Sequence, residues 1–208
     1  VTRKKSQINP YLSSGALSGP VMGDFGKKPE EILDILEEYE TNCYKVVDSK
    51  KLDKNFVAKE KQRISYWIYG FLAQYAQQKA CGDDVYDKLH ELSSKEDAWL
   101  IQMPEYTNFQ YNAITALALR DIDRDESPEF QTKAVTAICE YTAENVKNSD
   151  LKQYIIGTNA VALVANNGYD GAERIKEIFE QNVTDAEIVA AFKTAWENGA
   201  VLKAGRPS

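Results

Sequence analysis

Ile64-Ser65-Tyr66-Trp67-Ile68-Tyr69-Gly70-Phe71-Leu72-Ala73 is the most apolar run of ten residues in the chain, and its periodicity decides the fold. Ile64, Trp67, Ile68, Phe71, Leu72 and Tyr75 recur at the spacing of one helix face. Tyr66, Tyr69, Ala73 and Ala76 widen that stripe until only Ser65, Gly70 and Gln74 interrupt it. The pattern predicts a helix over residues 55–80, enclosed on most sides, with Trp67 and Phe71 in the core. Gly70 costs such a helix about 1 kcal/mol relative to Ala, which predicts a second backbone crossing close to it. The run is shorter than the roughly 20 apolar residues needed to span a bilayer. Lys59, Lys61 and Arg63 precede it, so it reads as a core helix.

Outward from this helix the rhythm stays helical. Pro29 suits a first helical position, and Ile32, Leu36, Tyr39 and Cys43 form one stripe before a polar link at 48–53. Cys81-Gly82 supplies an end to the central helix, and Val85, Leu89 and Leu92 mark a short one. Ser94-Lys95-Glu96-Asp97 reads as a capping box opening another, which Met103-Pro104 stops. Helices follow over 108–120, from Ser127-Pro128-Glu129, from Ser149-Asp150 to Gly168, around Ile175 and Phe179, and from the Thr184-Asp185-Ala186-Glu187 box to Gly199. The fold class is therefore all-α: about nine helices packed as antiparallel hairpins, either an irregular bundle or a short stack like those of HEAT and armadillo repeats. Residues 1–28, with Gly15, Gly19, Gly23, Gly26, Pro10 and Pro20, show neither helical nor strand period and are expected to form an extended arm. The expected organisation is an arm at 1–28, a single helical domain at 29–203 and a tail at 204–208.

At 208 residues and 43% hydrophobic content the chain can bury a substantial core. A formal charge of −7 and a pI near 4.9 argue against a nucleic-acid partner, since phosphate binding rests on clustered Lys and Arg. The charge is uneven. Residues 1–28 carry Arg3, Lys4, Lys5, Lys27 and Lys28 against Asp24, leaving the body strongly acidic. Cys43, Cys81 and Cys139 are too widely spaced for a zinc motif and read as buried thiols. The chain begins at Val1 without Met, which suits a trimmed chain or a mature one that has lost a targeting segment. A processed extracytoplasmic or organellar-lumen location is as compatible as a cytoplasmic one.

No catalytic constellation emerges. His90 is the single histidine, and its pairing with Asp87 is one unit where a di-iron bundle requires two. Asp121-Ile122-Asp123-Arg124-Asp125-Glu126 places carboxylates at alternate positions, as a calcium loop does. It lacks the turn glycine and the bidentate twelfth ligand, and Pro128 interrupts it, so an interhelical turn capped by Ser127 explains it better. Glu30, Glu31, Asp34, Glu37, Glu38 and Glu40 make one acidic helix face, suited to solvent or docking. The 22 aromatics, 12 of them Tyr, fall mostly on apolar stripes. Asn182-Val183-Thr184 is a glycosylation sequon whose Thr184 also serves as a cap. No metal or cofactor is expected.

These readings point to a non-enzymatic structural or adaptor subunit of a larger protein complex, acting through its arm and helical surfaces. Ile8, Tyr11, Leu12, Leu17, Val21, Met22 and Phe25 are the expected partner-binding residues of the arm. A segment so rich in glycine cannot offset an ordering cost of about 1–2 kcal/mol per residue by itself. The alternatives are a stand-alone helical inhibitor or binding protein of an extracytoplasmic compartment, and an enzyme or carrier with a tyrosine-lined pocket. Protein partners are expected, with no transmembrane segment, and peripheral attachment to a membrane complex is compatible.

Overall fold

The computed structural model describes residues 8–78, 80–96, 99–125 and 127–204; for Asn9, Met22, Phe25, Pro128 and 200–204 it describes the backbone alone. Among the described residues there are nine α-helices and no strand, as the periodicity requires. They are α1 (Ile8–Leu12), α2 (Pro29–Ser49), α3 (Lys54–Gln78), α4 (Asp83–Ser93), α5 (Pro104–Ala118), α6 (Pro128–Asn145), α7 (Ser149–Asn167), α8 (Glu173–Asn182) and α9 (Ala186–Ala204). Two 3-10 turns lie at Met22–Gly26 and Leu100–Gln102. No described helix is long and apolar enough to cross a membrane. The packing divides the described residues into two compact units, 8–93 with 99–113 and 94–96 with 114–204; the division falls inside α5.

The first unit is organised on α3, which starts and stops within two residues of its predicted bounds. Tyr44 meets Ser65, Glu40 meets Tyr69 and Asp48 meets Lys61, so α2 and α3 form an antiparallel hairpin. Ile32, Leu36, Cys43 and Val47 of α2 are buried with Ile64, Ile68, Tyr69, Leu72 and Tyr75 of α3 and Val85, Leu89 and Leu92 of α4. From α5, Tyr106 packs edge-on against Tyr66 at 4.9 Å and Phe109 lies at 5.4 Å from the same ring. Two expectations fail here. Trp67 and Phe71 are half-buried, because the fully enclosed stripe runs through Ile64, Ile68 and Leu72 and leaves these two on its flank, 6.4 Å apart. At Gly70 a Cβ would meet nothing within 4 Å outside its own helix, so no second backbone crosses there.

The second unit is a stack of alternating helices. Gln131 meets Asn167 and the Ala143 carbonyl meets Lys152, so α6 and α7 are antiparallel. Gln153 meets Thr184 and Gly157 meets Ile188, pairs 31 residues apart, while Gly199 lies against Tyr169. Helices α7 and α9 therefore run parallel, with α8 returning the chain between them. Ile156, Ala160 and Val164 of α7, Ile175 and Phe179 of α8 and Phe192 of α9 form a continuous core with Cys139. The rings of Phe179 and Phe192 stack at 4.1 Å.

The helix ends follow local chemistry. Ser127 Oγ accepts from the Phe130 N–H and Asn148 Oδ1 from that of Leu151, each satisfying a donor the helix cannot. Gly168 ends α7 at φ +82°, a conformation only glycine adopts without strain. Among the described residues the Ser94–Asp97 box is followed by the 3-10 turn Leu100–Gln102 rather than by an α-helix; Asp97 and Ala98 lie outside them. Glu96 reaches instead to the N–H groups of Lys147 and Asn148 ahead of α7. Pro104, expected to stop a helix, begins α5, where its missing N–H costs nothing. Asp185, not Thr184, caps α9, accepting from Glu187 and Ile188. Gly199 lies inside α9 rather than closing it, pressed against Gly168 and Tyr169.

Candidate functional site

On α3 the apolar stripe read backwards from Ile68 and Ile64 reaches Glu60, so the fold buries a carboxylate; its exposure is 4%. An ionised carboxylate in such a place must be paired. Arg63, one turn on, grips it with two bonds, Nε to Oε2 at 2.9 Å and Nη2 to Oε1 at 2.8 Å. Arg63 Nη1 donates to Glu105 Oε1 of α5 at 2.8 Å. The remaining capacity of Glu60 Oε1 is taken by the Tyr11 hydroxyl of α1, which donates at 2.8 Å. The bond with Glu60 holds the Arg63 guanidinium more firmly protonated than usual. Burial, with the hydrogen bond to Glu60 second, pushes the Tyr11 phenol well above its ordinary range.

The segment after Tyr11 lies across α2 and α3. The Cys43 thiol donates to the Ser18 carbonyl at 3.3 Å, and Gly19 sits so close to Trp67 that a Cβ there would approach the indole to 2.6 Å. A cleft of about 200 Å³ remains between residues 15–17 and Arg63 and Trp67. Further on, Asp24 caps the 3-10 turn through the Val21 N–H, and the Lys27 carbonyl accepts from the Tyr75 hydroxyl at 2.7 Å. The expected extended arm is thus interrupted by α1 and the 3-10 turn, and residues 8–28 lie against their own unit.

Of the residues expected to bind a partner, Tyr11 is buried at 6% exposure, Ile8 and Leu17 are half-buried, and Leu12 and Val21 are exposed at 56% and 57%. The side chains of Met22 and Phe25, like residues 1–7, lie outside the described residues. Glu40 leaves the acidic face of α2 and accepts from the hydroxyls of Tyr44 and Tyr69, while Glu30, Glu31, Asp34, Glu37 and Glu38 remain exposed. Burial pushes Tyr44 up to about 12. Asp121, Asp123 and Asp125 are exposed, and hydrogen bonds from the Ser127 hydroxyl and then the Ser127 N–H hold Asp125 below its ordinary value. Among the described residues no group of three His, Cys, Asp or Glu side chains is placed to hold a metal; Glu126 lies outside them. His90 and Asp87 are exposed on α4. None of the three cysteines forms a disulfide; Cys43 and Cys139 are buried and Cys81, expected buried, is half-buried beyond the end of α3. In the sequon, the Asn182 amide is engaged by the Ile178 carbonyl.

The periodicity argument passed over Glu60, although a lone carboxylate four residues before Ile64 on a core stripe was a legible sign of a buried pair. Chemically the Tyr11–Glu60–Arg63–Glu105 network is closed, and no described buried side-chain polar atom lacks a partner. Its geometry is that of an anchor for the N-terminal segment. Compared with protein-family models, with curated proteins and with solved structures, the chain matches none.

Proposed function

We propose that the protein is a non-enzymatic structural or adaptor subunit of a larger protein complex, contacting its partner through the N-terminal segment and helical surfaces. The observation that carries this reading is the placement of Leu12 and Val21. Among the described residues only Leu12, Val21, Tyr154 and Val189 are large apolar side chains left exposed, and two of them lie in the N-terminal segment, Leu12 beside the Tyr11 anchor and Val21 beside the Asp24 cap. Apolar groups displayed on an anchored segment suit an interface core better than solvent. Residues 1–28 as a whole carry Arg3, Lys4, Lys5, Lys27 and Lys28 against Asp24, a balance that suits an acidic partner surface. The tyrosine hydroxyls of Tyr11, Tyr44, Tyr69 and Tyr75 are spent on internal bonds, which weakens the pocket alternative.

The test is size-exclusion chromatography of native extract containing the tagged chain, alongside a Leu12→Asp/Val21→Asp variant. The expected outcome is co-elution with a large complex that the variant loses while its thermal melt is unchanged. Elution of the unaltered chain as a free monomer would favour the stand-alone binding protein, and a variant that co-elutes as before would remove the segment from the interface.

A further inference from the structure

Residues 8–19 touch the rest of the first unit at few points. Tyr11 is the single buried side chain among those described between 8 and 28. Its ring meets Phe56 edge-on at 6.0 Å and its hydroxyl meets Glu60. Beyond it come the Cys43–Ser18 bond and the flat contact of Gly19 on Trp67, with an open cleft between. Residues 21–28 are fastened separately, by the Asp24 cap and by Tyr75 on the Lys27 carbonyl. A segment with one fully buried side chain, its other apolar residues half-buried or exposed, belongs to the low-stability end of a structure, where opening is local.

We propose that residues 8–19 form a strap that lifts from α2 and α3 without unfolding them, with the Tyr11–Glu60 hydrogen bond as its latch, residues 19–21 as its hinge, and Trp67, Cys43 and the Glu60–Arg63 pair as the surface it uncovers. Gly19 gives the strap its flush seat on the indole, and the absence of a side chain there is what lets the segment close. The inference stands on the contacts of the strap alone and holds whether or not the chain is a subunit of a complex.

Cys43 is the reporter, being buried directly under the strap. In a Cys81→Ser background, labelling by an aromatic disulfide reagent is followed by peptide mass mapping, with Cys139 of the second unit, whose thiol burial pushes up to about 12, as the reference. Tyr11→Phe keeps the ring and removes the latch. Losing a hydrogen bond to a charged group is expected to raise the Cys43 labelling rate about ten-fold or more, with Cys139 unchanged and the first unit's melting temperature lowered only by the amount that same ten-fold implies. Gly19→Ala, which wedges the strap from Trp67 without touching Glu60, is expected to do the same. Labelling of Cys43 should also be flat in low urea, since local opening exposes little surface. The proposal is overturned if neither variant accelerates Cys43, or if Cys43 labelling rises with urea as steeply as global unfolding does.

Discussion

Two helix-interior glycines in this chain should respond to the same substitution with opposite signs. Placing Ala at Gly157 gains about 1 kcal/mol of helix propensity. Yet the new Cβ would collide with Ile188 Cγ2, with Cδ1 at 3.4 Å and Cβ at 3.6 Å close behind. Cγ2 sits on a β-branched carbon and cannot swing away cheaply, so α9 must shift from α7 or Ile188 must leave its rotamer; such overpacking costs about 1–3 kcal/mol. The net expectation for Gly157→Ala is a loss of about 0–2 kcal/mol from the second unit, centred on about 1. At Gly70 nothing opposes the gain, so Gly70→Ala should stabilise the first unit by about 0.5–1 kcal/mol. Urea unfolding followed by circular dichroism reads both as shifts in midpoint at constant slope. Ile188→Ala removes the colliding atoms, so the Gly157→Ala/Ile188→Ala pair should be less destabilised than the sum of the singles by about 1 kcal/mol or more. A Gly157→Ala protein more stable than the parent, or strict additivity in the pair, would refute the argument.

Glu60→Ala leaves the Tyr11 hydroxyl without its acceptor and Arg63 with one carboxylate of two, and is expected to cost on the order of 3 kcal/mol by urea unfolding; a loss under 1 kcal/mol would show the pair to be dispensable. Ser127→Ala removes the cap of α6 and should cost about 1 kcal/mol in the same assay, whereas an unchanged midpoint would mean water replaces the cap fully. Tyr44, with an ordinary value of 10.0, is pushed up to about 12, and Tyr11 and Tyr69 are raised as well, so the folded chain holds these protons more tightly than the unfolded one. Their contribution is complete below pH 10 and is lost as pH climbs toward 12; the melting temperature should fall across that window, less steeply in Tyr44→Phe, and identical slopes for both proteins would count against the assignment.

The helices were legible because their apolar residues recur at 3.6-residue spacing, a local property. The caps at Ser127 and Gly168 were legible for the same reason. Reading failed where a residue's partner is distant in the chain. Glu96 has the spacing of a local capping box but serves the start of α7, some fifty residues on. Gly70 reads as a close-crossing position and Gly199 as a helix end, yet the first faces open space and the second is pressed against the Gly168 backbone. Trp67 satisfies the core periodicity and still sits on a flank, because the width of a buried stripe depends on how many neighbours arrive. Glu60 was overlooked since charge was counted as surface by default, and Tyr11, which secures it, lies 49 residues away.

The alternation of helices in the second unit also bears on how it forms. Contacts such as Gln153–Thr184 and Glu140–Arg174 join positions only 31 and 34 apart. The entropy lost in closing a loop grows with the logarithm of its length, so pairings of this reach, with Glu96 extending further to Lys147 and Asn148, keep the contact order low and the search rapid. The α6–α7 hairpin can therefore close before α9 docks on it, and each later helix meets a surface already built to receive it.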